Sequence, residues 1–315
     1  MFQKKISYGM DTDHAWDWLT ALSPLLVMMV MNYGLSAGVS VTLATVGYMV
    51  TTVLWQLLRV LPVHAAPALV CGVLVACCLP ATAPAWLPAV AGALGGLVAG
   101  VPAFVNSRLQ RPRFLCPVYV PALTGYLLVR WLFGRYLAEA TTIPAMWTPP
   151  DTVSGATPLA AMSEGGVTTQ RLPWMFWGFD VGSMGSGPVL AILLGCAFLL
   201  LRRRVHPVSS LAMLAVVAVA FLVYLTMPLY GVLAGGTVLA ALLLGDGVFV
   251  PMGWKGHLTA GLIAGMVTVA CRIAFGVDGA AVGLLVACVV TSVLRCAYDK
   301  WRLPIEKIIK SQNKG

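Results

Sequence analysis

The amino-acid sequence predicts an all-α integral membrane protein with about ten transmembrane helices. Hydrophobic residues make up 59% of the 315 residues and charged residues only 10%, whereas a soluble domain usually carries about a quarter charged residues. Many apolar runs approach the roughly 20 residues that a helix needs to cross a bilayer. Because backbone groups within lipid must form hydrogen bonds inside their own segment, such runs favour helices.

The candidate spans fall into two groups of five around a long polar stretch. The first group lies near Leu19–Tyr33, Leu35–Leu58, Ala66–Leu79, Ala85–Val105 and Pro117–Phe133. The second group lies near Pro188–Leu201, Val208–Leu225, Gly231–Leu244, Leu258–Phe275 and Ala280–Cys296. We therefore divide the chain into an N-terminal five-helix membrane half (1–133), an extracytoplasmic loop (134–187), a C-terminal five-helix membrane half (188–298) and a cytoplasmic tail (299–315).

The two membrane halves are expected to form an inverted repeat. An odd number of spans per half places the halves in opposite orientations across the membrane. The third and eighth spans, Ala66–Leu79 and Gly231–Leu244, are short and contain or adjoin glycine and proline. Paired short segments in matching positions are typical of a binding site near the middle of the membrane.

The distribution of positive charge predicts the orientation of the chain. With the N-terminus in the cytoplasm and ten alternating spans, sixteen of the twenty lysines and arginines fall in cytoplasmic connections or in the two termini. The remaining four are Arg130, Arg135, Arg171 and Arg272. Because cytoplasmic loops carry the excess of basic residues, both termini are expected inside. The net charge of +9 is thereby explained without nucleic acid, since no basic stripe is interleaved with aromatic residues.

A run of small residues in the extracytoplasmic loop surrounds a threonine that a modifying enzyme could reach. Thr157 is followed by Pro158, which stiffens the chain as it leaves the site. Three small residues precede it: Ser154, Gly155 and Ala156. The threonine hydroxyl can accept the phosphoryl end of a nucleotide-like donor, and Asp151 lies six residues upstream, where a transferase could recognise it. The composition alone suits an ordinary loop equally well.

The stretch from Asp151 to Thr157 matches the flavin-transfer signature Asp-x-x-Ser-Gly-Ala-Thr, continued by Pro-Leu-Ala. Other stretches resemble the same family: residues 79–88 (LPATAPAWLP), 121–126 (PALTGY) and 182–185 (GSMG). Together they resemble the RnfD family, named for a subunit of the Rnf ion-translocating electron-transport complex. That family is related to NqrB of the sodium-pumping NADH:quinone reductase. The short N-terminal arm favours the Rnf type.

The resemblance implies that a flavin transferase links FMN to Thr157 through a phosphoester. It implies an electron-relay subunit that couples ferredoxin and NAD oxidoreduction to Na⁺ or H⁺ translocation in a bacterial inner membrane. The implied partners are the flavin-bearing RnfG, the membrane proteins RnfA and RnfE, and the soluble proteins RnfB and RnfC. The family also implies a second, non-covalent riboflavin.

Three departures from the family pattern bear on that riboflavin. Residues 116–120 (CPVYV) stand where relatives carry Asn-x-Phe-Asn, and Ser186 replaces a glutamate after the Gly-Ser-x-Gly stretch. The late Thr-Asp-Pro loop is present as Gly245-Asp246-Gly247, which keeps the acid and loses the proline. These positions would help to line flavin pockets in relatives.

Two further charged residues are candidates for an ion or flavin pocket. Asp246 ends an apolar run, where an ionisable group is a functional candidate, although a solvated loop carboxylate is an equal alternative. Arg130 could pair with an FMN phosphate or carbonyl, or extend its charge to the membrane surface. No metal site is expected, because the histidines lack metal-ligand spacing: His14, His64, His206 and His257.

Two alternative functions remain open at this point. One is a quinone-reducing subunit of the related complex. The other is a small-solute transporter without redox activity, since ten spans, inverted halves and short glycine-rich segments fit that class too. The loop from Asp151 to Thr157 favours the flavin-bearing electron relay, because a plain transporter has no need of it.

Overall fold

A computed structural model describes residues 12–58, 65–81, 83–109, 119–138, 172–178, 183–225, 228–234, 236–246, 253–275 and 280–290. The first half contains α1 (Thr12–Tyr33), α2 (Leu35–Leu58), α3 (Ala65–Cys78), α4 (Trp86–Leu109) and α5 (Tyr119–Ala138). The short α6 (Leu172–Trp177) precedes α7 (Val189–Leu201), α8 (Pro207–Leu225), α9 (Pro228–Leu233), α10 (Thr237–Leu244), α11 (Gly253–Phe275) and α12 (Ala280–Val290). Within these ranges the chain has no β-strand, so the all-α prediction is confirmed there.

Two of these helices are long and apolar enough to cross a membrane by themselves, Leu35–Leu58 and Trp254–Ala274. Five shorter helices in the described ranges are apolar too: Ala65–Cys78, Trp86–Gly100, Val189–Leu201, Pro207–Val223 and Ala280–Val290. The count of ten transmembrane helices therefore stays a prediction, as do the boundaries of the two halves.

The outer faces of the helices are apolar, and several polar groups lie inside. Leu35 of α2, Leu201 of α7 and Val223 of α8 each expose more than two thirds of their surface. In contrast, Asp17 and Asp246 are buried. A surface of large aliphatic side chains is the pattern expected where lipid surrounds a bundle.

The eighth predicted span is two helices in the structure. The sequence predicted one interrupted segment at Gly231–Leu244, but the helical region begins at Pro228 and stops between Leu233 and Thr237. Gly236 takes a φ of +70°, which a residue with a side chain rarely adopts. The backbone carbonyls freed by this break need other donors, since no water is available inside a bilayer.

A buried arginine supplies the donors at this break. Arg272 of α11 donates from Nη1 to the Gly231 carbonyl at 2.7 Å and from Nη2 to the Ala234 carbonyl at 2.8 Å. Its guanidinium carbon lies 5.6 Å from the centre of the Phe221 ring. The α9–α10 break is therefore held by charge-assisted hydrogen bonds from α11.

Paired glycines bring the second and fourth helices of each half close together. A Cβ built on Gly92 of α4 would overlap the Ala44 carbonyl oxygen of α2. A Cβ on Gly261 of α11 would overlap the Ser209 carbonyl oxygen of α8. Each glycine is followed four residues later by another close contact on the same partner helix, at Gly96 and at Gly265. Small residues at this spacing let two helix backbones approach closely.

Candidate functional site

A partly open cavity lies between α3, α5, α10 and α12. Its free space of about 510 Å³ includes the part that is open to solvent. Most of its wall is apolar, with Leu123 and Leu239 among the lining residues. Hydrogen-bonding groups are added by Tyr126, Ser183 and Ser186. The wall is therefore mostly apolar, with a few groups that can form hydrogen bonds.

The segment before α7 closes the cavity at the end of α3. Met184 donates its backbone N–H to the Leu79 carbonyl at 3.0 Å, and Gly185 donates to the Cys77 carbonyl at 2.8 Å. These bonds satisfy carbonyls that the end of a helix leaves without a partner. A Cβ on Gly185 would overlap the Cys77 Cβ, so this position needs glycine. Met184 and Gly185 thus dock on the end of α3, and Ser186 lies beside the cavity.

Arg130 lies one helical turn beyond the cavity residue Tyr126. Its Nη1 donates to the Tyr126 hydroxyl at 3.3 Å, and its side chain is partly buried. The structure therefore places a positive charge near the cavity wall. The residues of the attachment motif lie outside the described residues: Asp151, Ser154, Gly155, Ala156, Thr157 and Pro158.

Asp246 lies inside the protein, directly after α10, with 2% of its surface exposed. The alternative of a solvated loop carboxylate is therefore wrong. Its Oδ1 lies 3.1 Å from Nε2 of the buried His14. Trp18, one turn along α1, donates its indole N–H to the same nitrogen at 3.0 Å. A histidine nitrogen carries either a proton or a lone pair, so it cannot accept from Trp18 and donate to Asp246 at once.

A second acidic group of α1 binds the connection between α7 and α8. Arg202 donates to Asp17 Oδ1 from Nη2 at 2.8 Å, and Arg204 donates from Nε to Oδ2 at 2.6 Å. Burial alone would raise the pKa of Asp17, but the hydrogen bonds and charges of Arg202 and Arg204 hold it below its usual value of 3.8. This carboxylate is thus stabilised in its ionised form.

The groups that sequence reasoning missed belong to the same end of the bundle. His206 donates its backbone N–H to the Gly245 carbonyl at 2.7 Å, and its ring centre lies 4.6 Å from that of His257. His14, Arg202 and Arg204 had no assigned partner in the sequence, because their partners lie far away along the chain. Among the described residues, no group of three or more His, Cys, Asp or Glu is arranged to hold a metal.

Apolar outer faces and interrupted helices are typical of a helical membrane protein. The chain belongs to the NQR2, RnfD, RnfE family, whose model matches residues 9–104 and 116–301. This is a family of membrane proteins, and the predicted family resemblance is confirmed.

Three similar proteins illustrate the relationship. The B subunit of the Na⁺-translocating NADH-quinone reductase of Chromohalobacter salexigens is 30% identical over 220 residues, which are 65% of this chain and 51% of that protein. The D subunit of the proton-translocating ferredoxin:NAD⁺ oxidoreductase complex of Clostridium ljungdahlii is 24% identical over 313 residues, covering 92% of this chain and 90% of that protein. The B subunit of the Na⁺-translocating NADH-quinone reductase of Azotobacter vinelandii is 34% identical over 150 residues, 45% of this chain and 32% of that protein. The chain thus spans about half or less of the two quinone-reductase subunits but nearly all of the clostridial protein.

Proposed function

We propose that this chain is the membrane electron-relay subunit of an Rnf-type ion-translocating complex and that it carries FMN on Thr157. The observation that carries the proposal is the signature from Asp151 to Thr157 in a chain of this family. The near-complete coverage of the clostridial D subunit supports the Rnf type. FMN would supply one- and two-electron redox chemistry, and the protein would position it and tune its potential.

The residue types around the cavity could contact a flavin ring at its open side. Its apolar wall suits the face of an aromatic ring, and Tyr126, Ser183 and Ser186 offer hydrogen bonds to polar ring atoms. Arg130 offers a positive charge beside Tyr126 for a phosphate or a ring carbonyl. The loop that carries Thr157 starts after α5, which also contributes cavity residues. Leu172 follows Thr157 by 15 residues, and each residue can span up to about 3.3 Å.

The contacts at one end of the bundle support the proposed orientation. The start of α1, the end of α7, the start of α8, the residue after α10 and the start of α11 meet there through His14, Asp17, Arg202, His206 and His257. Alternating spans would bring these five ends to the same side. The arginines in this group favour the cytoplasm for that side, which puts Thr157 on the extracytoplasmic side of a bacterial inner membrane. The paired glycine contacts of the two halves support the inverted repeat.

The flavin attachment is tested by replacing Thr157. The Thr157→Ala variant, produced in a host with the flavin transferase, should lose all in-gel flavin fluorescence and the mass of the FMN adduct. Thr168→Ala, in the same loop, should keep both. Fluorescence that persists at full strength in Thr157→Ala contradicts the proposal. An unmodified mass for the wild-type chain in that host would instead favour a transporter without redox activity.

A second candidate, a quinone-reducing subunit, is favoured by the names of the two other relatives, which are quinone-reductase subunits. Their matches cover only about half and a third of those proteins. The purified complex separates the two functions by its electron acceptor. Reduction of NAD⁺ by ferredoxin without quinone supports the Rnf type, and quinone-dependent oxidation of NADH supports the second.

A further inference from the structure

Two polar side chains on the buried face of α2 have no hydrogen-bond partner among the described residues. Thr52 and Gln56 are 2% and 1% exposed. The Thr52 hydroxyl and both polar atoms of the Gln56 amide are left without a protein partner. The two residues are four apart on one helix, so their Cβ atoms lie about 5–6 Å from each other. Three buried, unsatisfied polar atoms within one turn therefore need an explanation.

The second half of the protein shows that this part of the fold does not require polar residues. Gly92 and Gly96 of α4 pack on Ala44, Tyr48 and Thr51 of α2. Gly261 and Gly265 of α11 pack in the same order on Ser209, Met213 and Val216 of α8. The two sets of contacts align α2 with α8 by a constant offset of 165 residues along the chain.

The residues of α8 that correspond to Thr52 and Gln56 are apolar. They are Val217 and Phe221, and both are buried. They pack with Met175, Tyr230 and Ala234 in an apolar cluster. Matched positions are thus filled by hydrocarbon in one half and by an amide and a hydroxyl in the other. The close packing of the two helices therefore does not explain why polar residues occupy positions 52 and 56.

The chemistry of the three atoms defines what binds there. The hydroxyl and the amide oxygen accept hydrogen bonds, and the hydroxyl and the amide nitrogen donate them. The helix α2 carries no charged side chain that would balance an ion. Water both donates and accepts, and a buried water usually makes about three hydrogen bonds.

We propose that Thr52 and Gln56 bind buried water and form a hydrated pocket inside the first half that the second half lacks. The pocket lies near the C-terminal end of α2, which is the cytoplasmic end in the proposed orientation. The pocket itself does not depend on the flavin at Thr157, so the two proposals fail or succeed separately.

Radiolytic labelling tests the pocket directly. A short X-ray pulse produces hydroxyl radicals from bound water, and the radicals oxidise neighbouring side chains in place. Tyr48 lies one turn from Thr52, and its counterpart in α8 is Met213; they are 2% and 0% exposed. Methionine is readily oxidised, so it reports any water that reaches it. We expect peptide mass spectrometry to find Tyr48 labelled several-fold faster than Met213.

Variants connect the labelling to the two side chains. The double variant Thr52→Val, Gln56→Leu should lose most of the Tyr48 labelling, and the two single variants serve if the double variant does not fold. Thr45→Val is the matched control, because the Thr45 hydroxyl already donates to the Val41 carbonyl at 2.6 Å; it should leave the labelling unchanged. The proposal is overturned if Tyr48 is labelled no faster than Met213, or if folded variants without the two polar groups keep the wild-type labelling.

Discussion

One ring nitrogen of His14, Nε2, lies within hydrogen-bond distance of two polar side chains. Its Nε2 accepts the indole N–H of Trp18 and also faces the Asp246 carboxylate. When Nε2 is unprotonated, it bonds to Trp18, and a hydrogen bond to Asp246 needs a proton on the carboxyl group. When Nε2 is protonated, it donates to Asp246 instead. The position of one proton therefore decides how α1 is joined to the end of α10.

Breaking this pair should destabilise the protein, because the remaining partner stays buried. Asp246→Ala and His14→Ala are each expected to lower the free energy of unfolding by about 1–3 kcal/mol. The double variant should lose less than the sum of the two, since the residues are in contact. Thermal melts in detergent compare the wild type, the two single variants and the double variant. Asp13→Ala, at an exposed neighbouring acid, is the control; equal losses at Asp13 and Asp246, or a strictly additive double variant, would contradict the pairing.

The ion pairs of Asp17 should make stability depend on pH at the acid end. The pKa of Asp17 is lowered in the folded protein, so the folded state favours the carboxylate. Its contribution is complete above the usual value of 3.8 and is lost as the pH falls through the lower folded pKa. The difference in melting temperature between the wild type and Asp17→Asn should therefore be largest near neutral pH and shrink in acid. A difference that grows in acid would show that the carboxylate is not the stabilised form.

Sequence reasoning identified Asp246 as a candidate but could not decide whether it was solvated. The reason is that its burial depends on His14, which lies 232 residues earlier in the chain. Asp17 was missed for the same reason, since Arg202 and Arg204 reach it across a similar separation. Long-range partners of this kind have no local pattern. Thr157, in contrast, was found because its signature is continuous.

At the scale of elements, the all-helical class was predicted and some helix boundaries have local causes, but α1 begins at Thr12 rather than Leu19 and the short α6 was not predicted. Gly34 takes a φ of +66° and donates its N–H to the Val30 carbonyl, which ends α1 and lets α2 begin at Leu35. Glycine and proline marked the α9–α10 region as interrupted. The exact position of the break could not be predicted from the local sequence, because the carbonyls that it frees accept hydrogen bonds from Arg272 of another helix.

The paired glycines should be sensitive to a single methyl group in both halves. Gly92→Ala would drive its Cβ into the Ala44 carbonyl oxygen, and Gly261→Ala would do the same to that of Ser209. Each variant is expected to lose about 1–3 kcal/mol of stability, because the helices must separate. Gly38→Ala has nothing within 4 Å and should gain about 0.5–1 kcal/mol from helix propensity. Thermal melts compare the three; a stabilising Gly92→Ala would mean that α2 and α4 do not pack this closely.

At the scale of the whole molecule, charge and contacts support the same orientation. Positive charge was counted along the sequence without reference to contacts. The pairs formed by His14, Asp17 and His206 join helix ends that alternating spans would place on one side. Arg202 and Arg204 belong to both observations. The side stays a prediction from the sequence, which could not show that the helix ends there are joined by buried ionic pairs.

Reporter fusions test the orientation of the full chain. Green fluorescent protein fused after Gly315 should fluoresce, because it folds in the cytoplasm, and alkaline phosphatase at the same place should be inactive. Phosphatase inserted after Glu164 should be active, since the loop that carries Thr157 is expected outside. The physical reason is the retention of basic connections such as residues 202–204 in the cytoplasm. Active phosphatase at the C-terminus would reverse the whole arrangement and place Thr157 inside. The end that holds the buried pair of His14 and Asp246 would then face outward, and an electron path that starts from a flavin at the outer surface would have to be abandoned.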